Sequence, residues 1–387
     1  MKAPRLTVAV IGGGPVGLLV ALCALDQGME PIVIERLTEA RTGSRAIGIH
    51  PPALEILERL GLADEFLRRG VPVGKGLAFG ADGLVGSVSF AELPGHFPFV
   101  LSIPQCQTEA ILEAALAERA PAAVQRGWKL TCLAQRPCAV DLHLRTAAGE
   151  QRVVGAAVVV ACDGNRSRVR QACGIPVAGR SYDGAYAMVD VADTTPFGAA
   201  AAVFLSPAGV VESFPLPGRL RRWVVRRDGE GSDAPSTAQI ARTVLARTGC
   251  KLPESSATPP SGFHAERCIA ERFAHGRVAL AGNAAHVVSP IGGQGMNLGW
   301  IGAESLVRDL AAAVRAGDDV PEALARNGRA RRRQAITAAR RAEINMWLGR
   351  QTDHAARRER LVGSLLRPPA RSLFARMFTM RHLAWGI

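Results

Sequence analysis

Residues that could bind a nucleotide are concentrated near the N-terminus, in the motif GGGPVG (residues 12–17) and in Glu35. Gly12 permits a tight turn, Gly14 lets the backbone approach a pyrophosphate, and Gly17 lets a helix pack closely on a strand. The N-terminus of a following helix offers unpaired N–H groups to phosphates. Because a carboxylate at position 35 can accept hydrogen bonds from a ribose hydroxyl, the chemistry indicated is recognition of a dinucleotide.

The elements that would position these residues are also predicted. An apolar, β-branched run from Leu6 to Ile11 predicts a strand, and the small residues from Leu18 to Leu25 predict a helix that stops at Gly28. The run from Pro31 to Ile34 predicts a second strand, which ends in Glu35. A purely structural glycine turn remains the alternative, but the strand, the helix and the acid together favour a dinucleotide site.

The same stretch has a second interpretation as a signal peptide or membrane span. Lys2 and Arg5 precede a nearly uncharged run of about twenty residues, which is long enough to cross a bilayer. Three glycines and Pro15 lie in the middle of that run, where they would break a spanning helix. We therefore favour the nucleotide-binding interpretation.

The composition is that of a soluble globular protein with a large core. The chain has 387 residues, of which 48% are hydrophobic and 21% charged, so we expect two domains. The eight cysteines form no CxxC pair, so the sequence suggests neither a metal site nor a disulfide framework. A reducing, cytoplasmic location fits this cysteine usage.

The net charge of +13 comes mainly from arginine, and it is densest from Arg326 to Arg360. No aromatic platform, zinc finger or helix-turn-helix pattern accompanies this basic region, so we do not predict a nucleic-acid partner. Two explanations stay open: a solvated helix face, or attraction to an anionic membrane surface.

Later segments predict a second sheet and a helical C-terminal part. Strands are predicted over residues 76–80 and 85–90 around Asp82-Gly83, and over residues 185–191, 201–205, 210–214 and 222–226. Residues 128–160 predict a three-stranded meander. Helices are predicted over residues 52–60, 104–119 and 236–248, the last with Ser236 as N-cap, and through most of the chain after Pro321.

Four stretches in this order resemble the flavoprotein aromatic hydroxylases, the family of para-hydroxybenzoate hydroxylase and the ubiquinone-pathway hydroxylases. They are GGGPVG with Glu35, the segment around Arg45, CDGNRSRVR (162–170) and AGNAAHVVSPIGGQGMNLG (281–299); PQCQTEAIL from Pro104 is a fifth, weaker match. Each motif alone has a structural explanation, a strand-to-helix turn or a glycine-rich helix entry. The combination is specific, and it brackets the chain from residue 6 to about residue 310.

The resemblance implies an α/β fold with a Rossmann-like FAD-binding domain, a second, mostly antiparallel β-sheet substrate domain and a C-terminal helical region. We expect the FAD-binding domain to comprise residues 1–75, 97–180 and 265–340. The substrate domain would comprise residues 76–96 and 181–264, and the helical region residues 341–387.

The resemblance also implies which residues bind FAD. The glycines of residues 12–17 would hold the pyrophosphate and Glu35 the adenosine ribose, while Arg45 and Gln105 would lie along the cofactor. Asp163 and Gly164 would face both FAD and the incoming nicotinamide nucleotide. The full set of expected cofactor-binding residues is Gly12, Gly14, Pro15, Gly17, Glu35, Arg36, Arg45, Gln105, Asp163, Gly164, Gly282, Asn283, Pro290, Gly293, Gly295, Met296 and Asn297.

Two features of the last motif need a physical explanation. Asn283 stands where the family pattern usually has Asp, but an amide oxygen can still accept a hydrogen bond from the ribitol. The glycines between Pro290 and Asn297 would let backbone run against a flat ring, and a helix beginning near Met296 would point its positive end at that ring. Reduced flavin gathers negative charge on its N1–C2=O edge, which such a helix stabilises.

The function implied by the resemblance is hydroxylation of a phenolic or other aromatic substrate with NADH or NADPH and O2, through a flavin C4a-hydroperoxide. A flavin-dependent reductase or halogenase and a degenerate flavin-binding protein are the alternatives; the halogenase signature WxWxIP is absent. No catalytic base is assigned, because Tyr182, Tyr186, His264 and His286 each have a structural explanation.

The C-terminal stretch from Leu365 to Ile387 suggests a further property. It alternates arginines with apolar residues, as segments at a lipid interface do. We therefore expect a phenol that carries an apolar, lipid-like chain and a cytoplasmic protein with peripheral membrane contact. The alternative is that the same apolar residues pack this segment onto the rest of the protein.

Overall fold

The computed structural model describes residues 6–40, 46–227, 235–289 and 291–381. The helices of this part are α1 (Pro15–Asp26), α2 (Pro51–Arg59), α3 (Ala63–Arg69), α4 (Gln105–Arg119), α5 (Arg168–Ala172), α6 (Thr237–Thr248), α7 (Gln294–Ala316), α8 (Val320–Leu348), α9 (Ala355–Leu365) and α10 (Ala370–Phe378), with a 3-10 helix over Gly282–Ala284. The strands are β1 (Thr7–Ile11), β2 (Glu30–Glu35), β3 (Gly48–Ile49), β4 (Val71–Val73), β5 (Lys75–Gly80), β6 (Gly83–Ser89), β7 (Val100–Ser102), β8 (Val124–Arg126), β9 (Lys129–Gln135), β10 (Val140–Arg145), β11 (Gln151–Ala156), β12 (Val158–Ala161), β13 (Val177–Ala192), β14 (Ala201–Phe204), β15 (Val211–Leu216), β16 (Leu220–Arg227), β17 (Ser261–Ala270), β18 (Ala274–His275), β19 (Val278–Leu280) and β20 (His286–Val287).

The first sheet is mostly parallel and carries the nucleotide motifs. Its strand order is β18-β19-β12-β1-β2-β8, and only the pair β18–β19 is antiparallel. β1 and β12 are buried along their lengths, as parallel strands covered on both faces are. Ile11 pairs with Ala161, so the turns that follow these two strands leave the same edge of the sheet. The predicted Rossmann-like α/β fold is confirmed.

The predicted meander over residues 128–160 is wrong in its last strand. β9, β10 and β11 do form an antiparallel sheet, but the run from Arg152 to Val160 divides after Ala156. The first part, β11, alternates between exposed and buried side chains, whereas β12 is buried throughout and joins the parallel sheet. The physical reason is that an alternating segment suits a sheet with one solvated face, and a continuous apolar segment suits a central parallel strand.

The second sheet is mostly antiparallel, as predicted. Its order is β20-β17-β13-β16-β15-β14-β5-β6, and only β14 and β5 run parallel. The α6 side chains Ile240 and Val244 cover one face, where they join a buried cluster with Trp223 and Val225. Ser236 caps α6 in a capping box with Gln239, which confirms its predicted role. A small three-stranded sheet, β3-β7-β4, lies next to the end of β15.

The second sheet extends beyond the predicted limits of the substrate domain. β13 begins at Val177 and β17 continues to Ala270, and both strands belong to the eight-stranded sheet. α8 runs without interruption from Val320 to Leu348, across the predicted start of the C-terminal region at residue 341.

The C-terminal helices pack against the second sheet. Leu366 and Ala375 are buried in a cluster with Val88 and Phe90, and Phe374 and Phe378 pack against it. Leu373 is 61% exposed, and Leu383 and Trp385 lie outside the described residues. Within the described ranges, no helix is long and apolar enough to cross a membrane.

Candidate functional site

The glycine motif forms the turn between β1 and α1 in the way its spacing predicts. Gly12 has φ +111°, and a Cβ there would collide with the carbonyl oxygen of Cys162. A Cβ on Gly17 would collide with the Gly12 carbonyl oxygen and crowd Val10, so Gly17 sets the close approach of helix and strand. Gly14 differs, because no atom lies within 4 Å of the position of a Cβ. The space in front of Gly14 is therefore open to a ligand.

Glu35 ends β2 directly beside this turn. Its Oε2 accepts the backbone N–H of Gly13 at 2.7 Å, and its Oε1 accepts that of Leu37 at 2.9 Å. These two bonds fix the carboxylate at the mouth of the glycine turn. Each oxygen has a second lone pair with which to accept a ribose hydroxyl.

The first turn of α1 packs against the second turn of α7. The indole Nε1 of Trp300, in α7, donates to the carbonyl oxygen of Pro15, the first residue of α1, at 3.0 Å. The side chain of Val16 packs so closely on Gly299 and Gly282 that a Cβ on either glycine would touch it. Neither helix has a side-chain cap or an acidic residue in its first turn. Both helices therefore begin with N–H groups that carry partial positive charge and are available to an anion.

The turn after β12 brings Asp163 to the same edge of the sheet. Its Oδ2 accepts the N–H groups of Arg168 and Val169 at 2.7 and 3.2 Å, while its Oδ1 is buried without a partner among the described residues. Gly164 has φ +86°, with no atom near the position of a Cβ. Buried carboxylate oxygens are rarely left without a hydrogen bond, so we expect a ligand or a water molecule to donate to this oxygen.

Arg170 ties the Asp163 turn to the 3-10 helix that contains Asn283. Its Nη1 donates to the Ala284 carbonyl oxygen at 2.9 Å and its Nη2 to that of Asn165 at 2.7 Å. Gly282 has φ +56°, which lets the chain turn sharply, and the Asn283 side chain is exposed. An amide at this position is free to meet a ribitol hydroxyl.

The glycine loop before α7 is held by Asn297 rather than left loose. Gly293 caps α7 with φ +66°. The fully buried Asn297 side chain donates to the carbonyl oxygens of Gly48 and Gly293, both at 2.9 Å, and accepts the N–H of His50 at 2.8 Å. His50 also approaches the Gly292 carbonyl oxygen with Nε2 at 3.2 Å, and burial lowers its pKa to about 4, so it is neutral at pH 7. Any action of Asn297 on a cofactor runs through the backbone it positions.

The remaining predicted site residues are placed as follows. Gln105 begins α4, accepts the Ala46 N–H at 3.3 Å and donates to Glu109 at 2.8 Å. Arg36 is exposed beside Glu35, and Gly295 and Met296 lie half-buried in the first turn of α7. Arg45 and Pro290 lie outside the described residues.

These parts together fit a dinucleotide that carries a flavin. Gly14, Glu35 and Asp163 lie at the ends of neighbouring parallel strands, at one edge of the sheet, where they bring open space, a fixed carboxylate and an oxygen without a partner among the described residues. The helix ends suit the pyrophosphate and the electron-rich edge of a reduced ring, and the oxygen acceptors suit sugar hydroxyls.

Of the four side chains considered as catalytic bases, two make structural contacts, one is buried and one is exposed. Tyr182 donates to Glu343 at 2.9 Å, and burial, with that hydrogen bond, raises its pKa to about 12. Tyr186 is 1% exposed and stacks on Phe263, with ring centroids 5.4 Å apart. Burial lowers the pKa of His286 to about 4, and His264 is exposed on β17.

Sequence reasoning did not single out Arg170, Trp300 or Glu212. Arg170 stands within the CDGNRSRVR motif, but nothing in the pattern distinguishes it from Arg166 and Arg168, which are exposed. Trp300 appears as one more apolar residue of a helix. Glu212 interrupts an apolar strand, which was the only available signal.

The amino-acid sequence matches a family model described as an FAD binding domain over residues 5–342. The rifampicin monooxygenase of Streptomyces venezuelae is 34% identical over 314 residues, which are 79% of this chain and 64% of that protein. The pentachlorophenol 4-monooxygenase of Sphingobium chlorophenolicum is 29% identical over 82% of this chain and 60% of its own length. The chain thus spans less than two thirds of these relatives.

Solved structures share the whole architecture. The p-nitrophenol 4-monooxygenase of Pseudomonas putida superposes with a TM-score of 0.86 over 97% of this chain and 98% of that one, and at 24% identity it shows the fold alone. The anhydrotetracycline hydroxylase of Streptomyces rimosus has a TM-score of 0.79 and 27% identity, over 97% of this chain and 76% of its own.

Proposed function

Because this chain belongs to the FAD binding domain family, we propose that it is an FAD-dependent monooxygenase that hydroxylates a phenolic or other aromatic substrate with O2. The observation that carries the proposal is the packing of α1 on α7, two helices with uncapped N-termini, beside the fixed carboxylate of Glu35. A pyrophosphate, a ribose and an electron-rich ring are the groups that this arrangement suits.

The cofactor-binding roles follow from this geometry. The first turn of α1 would bind the pyrophosphate in the open space at Gly14, Glu35 would accept the adenosine ribose, and Asn283 would accept or donate at the ribitol. The first turn of α7 would meet the ring edge, on a backbone that Asn297 holds. When bound, FAD supplies the transfer of electrons from a reductant to O2.

The reductant in this proposal is NADH or NADPH. The free Asp163 oxygen and the open position at Gly164 support a second nucleotide near the first, on a chain that has no other GxGxxG motif in a strand–helix setting. NADH and NADPH differ by one phosphate, and oxidation rates measured with each would identify the one used.

The protein's own contribution beyond binding is exclusion of water. One face of the second sheet presents Met188 and Val224, which form a buried cluster with Ile291 of the glycine loop. An aromatic ring held between this face and the flavin would be shielded from solvent, which favours transfer of oxygen to the ring over wasteful side reactions.

A flavin-dependent reductase or halogenase and a degenerate flavin-binding protein are the competing functions. The relatives named as monooxygenases support hydroxylation over these. Purified protein would show flavin absorbance, and phenols would stimulate NAD(P)H oxidation with an oxygenated product detected by mass. Flavin without oxygenated product would support a reductase, and protein that binds no FAD at micromolar concentration would contradict the proposal.

We also keep the domain division and the membrane contact as proposals. The proposed division gives residues 1–75, 97–180 and 265–340 to the FAD-binding domain, although β13 and β17 cross two of these bounds. Limited proteolysis followed by mass analysis of the fragments would test it. Membrane contact, and with it a phenol that carries a lipid-like chain, has less support. Leu366 and Phe378 of the C-terminal segment pack against the second sheet and so are not available to a lipid surface. Co-sedimentation with anionic liposomes at low and high salt would test it.

A further inference from the structure

A single carboxylate lies in an otherwise uncharged, mostly apolar row that crosses the second sheet. Directly paired residues in neighbouring strands share a face of a sheet. The register places Glu212 between Val203 of β14 and Val224 of β16. The complete row, strand by strand, is Gly86, Ala78, Val203, Glu212, Val224, Met188 and Ser261.

This row lies on the face that is turned toward the glycine loop. Val224 and Met188 belong to a buried cluster with Ile291 of the loop and Met346 of α8, while Val203 packs against that cluster. The opposite face, with Trp223 and Val225, is covered by α6. At the far end of β15, the Pro215 carbonyl oxygen accepts the hydroxyl of Ser102 at 2.6 Å, which ties this strand to the small sheet of β3, β7 and β4.

Glu212 has no partner in the part of the chain that the structure describes. The residue is 8% exposed, and the described residues offer it neither a hydrogen bond nor an ion pair. Burial raises the pKa of its carboxyl to about 7, without a contribution from a neighbouring charge. A buried carboxyl without a partner is unfavourable, and such groups are usually satisfied by a ligand or water.

The charged groups around Glu212 are engaged elsewhere. On the same face, Arg222 holds Asp190 through two hydrogen bonds of 2.7 and 2.8 Å, and Arg226 donates to the Asp183 carbonyl oxygen at 3.3 Å. Tyr186 stacks on Phe263. On the packed helices, Glu343 accepts hydrogen bonds from Arg180, Tyr182 and Arg267, and the buried Arg358 donates to the carbonyl oxygens of Leu205 and Ser206.

We propose that Glu212 binds the substrate, by accepting a hydrogen bond from a hydroxyl or amino group of an aromatic ring held against the apolar face of the sheet. The substrate class that follows is a neutral or cationic aromatic with a hydrogen-bond donor. An aromatic carboxylate would meet a second negative charge, while the described arginines of this face, Arg222 and Arg226, already hold partners, so repulsion disfavours it. This inference rests on the proposed monooxygenase function.

The test uses the FAD-loaded full-length protein and the variant Glu212→Gln, with Glu271→Gln as matched control because Glu271 is exposed on a loop. The probes are 4-methylphenol, 4-methylaniline and 4-hydroxybenzoate. Binding is measured from the change in flavin absorbance, and kcat and KM from NAD(P)H oxidation coupled to product mass. The FAD affinity and thermal midpoint of each variant show whether it is folded and loaded.

The wild type should prefer 4-methylphenol or 4-methylaniline over 4-hydroxybenzoate. Glu212→Gln replaces a charged acceptor by a neutral one, which about halves the strength of the hydrogen bond, so the Kd and KM for the neutral probes should rise by about 3- to 10-fold. The discrimination against 4-hydroxybenzoate should fall, because the negative charge at position 212 is removed. Glu271→Gln should match the wild type. If Glu212→Gln does not load FAD, Glu212→Met takes its place in the same comparison.

The outcomes distinguish failure of the proposed monooxygenase function from failure of the role of Glu212. A wild type that oxygenates none of the phenols or amines contradicts the proposed function and this inference with it. A wild type that hydroxylates, with Glu212→Gln retaining its KM and its discrimination, overturns the role of Glu212 alone. A wild type that prefers 4-hydroxybenzoate also overturns the role of Glu212.

Discussion

The side-chain oxygen of Asn297 accepts the backbone N–H of His50, 247 residues away in the sequence, at 2.8 Å. The same carboxamide donates to Gly48 and to Gly293. One buried side chain thus joins β3, the glycine loop and the first turn of α7. These hydrogen bonds hold the loop that is proposed to meet the flavin ring, and no atom of the Asn297 side chain needs to touch the ring.

Replacing Asn297 by Ala should destabilise the protein and loosen the loop. The His50 N–H and the Gly48 carbonyl would lose their partner in a buried place, and each unsatisfied group costs about 1–3 kcal/mol. Thermal unfolding should show a lowered midpoint, and FAD titration a weaker affinity. An unchanged midpoint would contradict the clamp that we assign to Asn297.

Gly14→Val should abolish FAD binding and leave the fold intact. Open space at Gly14 can accept a side chain in the protein alone, but that side chain would occupy the place of the pyrophosphate. Circular dichroism and FAD titration measure the two effects separately. Gly155→Val is the matched control, since Gly155 also has open space at its Cβ position and lies in β11, away from the site. FAD bound normally by Gly14→Val would contradict the site.

Gly17→Val should behave differently from Gly14→Val. A Cβ on Gly17 collides with the Gly12 carbonyl oxygen inside the protein itself. We therefore expect loss of stability in the absence of FAD, measured as a lower denaturant midpoint. A Gly17→Val protein as stable as the wild type would show that the turn between β1 and α1 can adjust.

Asn283→Asp should be tolerated, with FAD binding retained or modestly tighter. The exposed side chain can accept a hydrogen bond in either form, and a charged acceptor forms the stronger bond. The comparison of dissociation constants for FAD decides this. If Asn283→Asp lost FAD, the ribitol role would be wrong.

Glu212→Gln should change how stability depends on pH. In the unfolded chain the carboxyl titrates near its usual 4.5, whereas in the folded protein burial raises its pKa to about 7. The folded state therefore binds more protons between these values, and wild-type stability falls as pH rises from about 4.5 to about 7. The glutamine does not titrate, so the advantage of the variant in thermal midpoint should be small at pH 5 and reach its full size by pH 8.

Other titrating groups are common to both proteins and cancel in that difference. A gap that stays constant between pH 5 and pH 8 would contradict the burial of an isolated carboxyl at position 212. The measurement requires neither FAD nor substrate, so it is independent of the catalytic tests.

The sequence alone determined the nucleotide fold around residues 6–35. Here the information is local, because strand, turn, helix and acid follow one another within a single unit, and only glycine satisfies positions 12 and 17. The alternation of short apolar strands likewise predicted a second, mostly antiparallel sheet. Ser236 was predicted as an N-cap for the same reason, because its capping contact joins residues three positions apart.

Only the tertiary structure shows which residues far apart in the sequence are in contact. The bond from Trp300 to Pro15 joins residues 285 positions apart, and the Asn297 clamp joins residues 247 and 249 apart. The division of the run after Arg152 into β11 and β12 depends on which sheet each half joins. The proposed role of Glu212 depends on its register with Val203 and Val224, which places it on the face of the sheet that is turned toward Ile291. Periodicity shows that a residue shares a face with its neighbours, but not which distant element that face meets, since long-range packing fixes that choice.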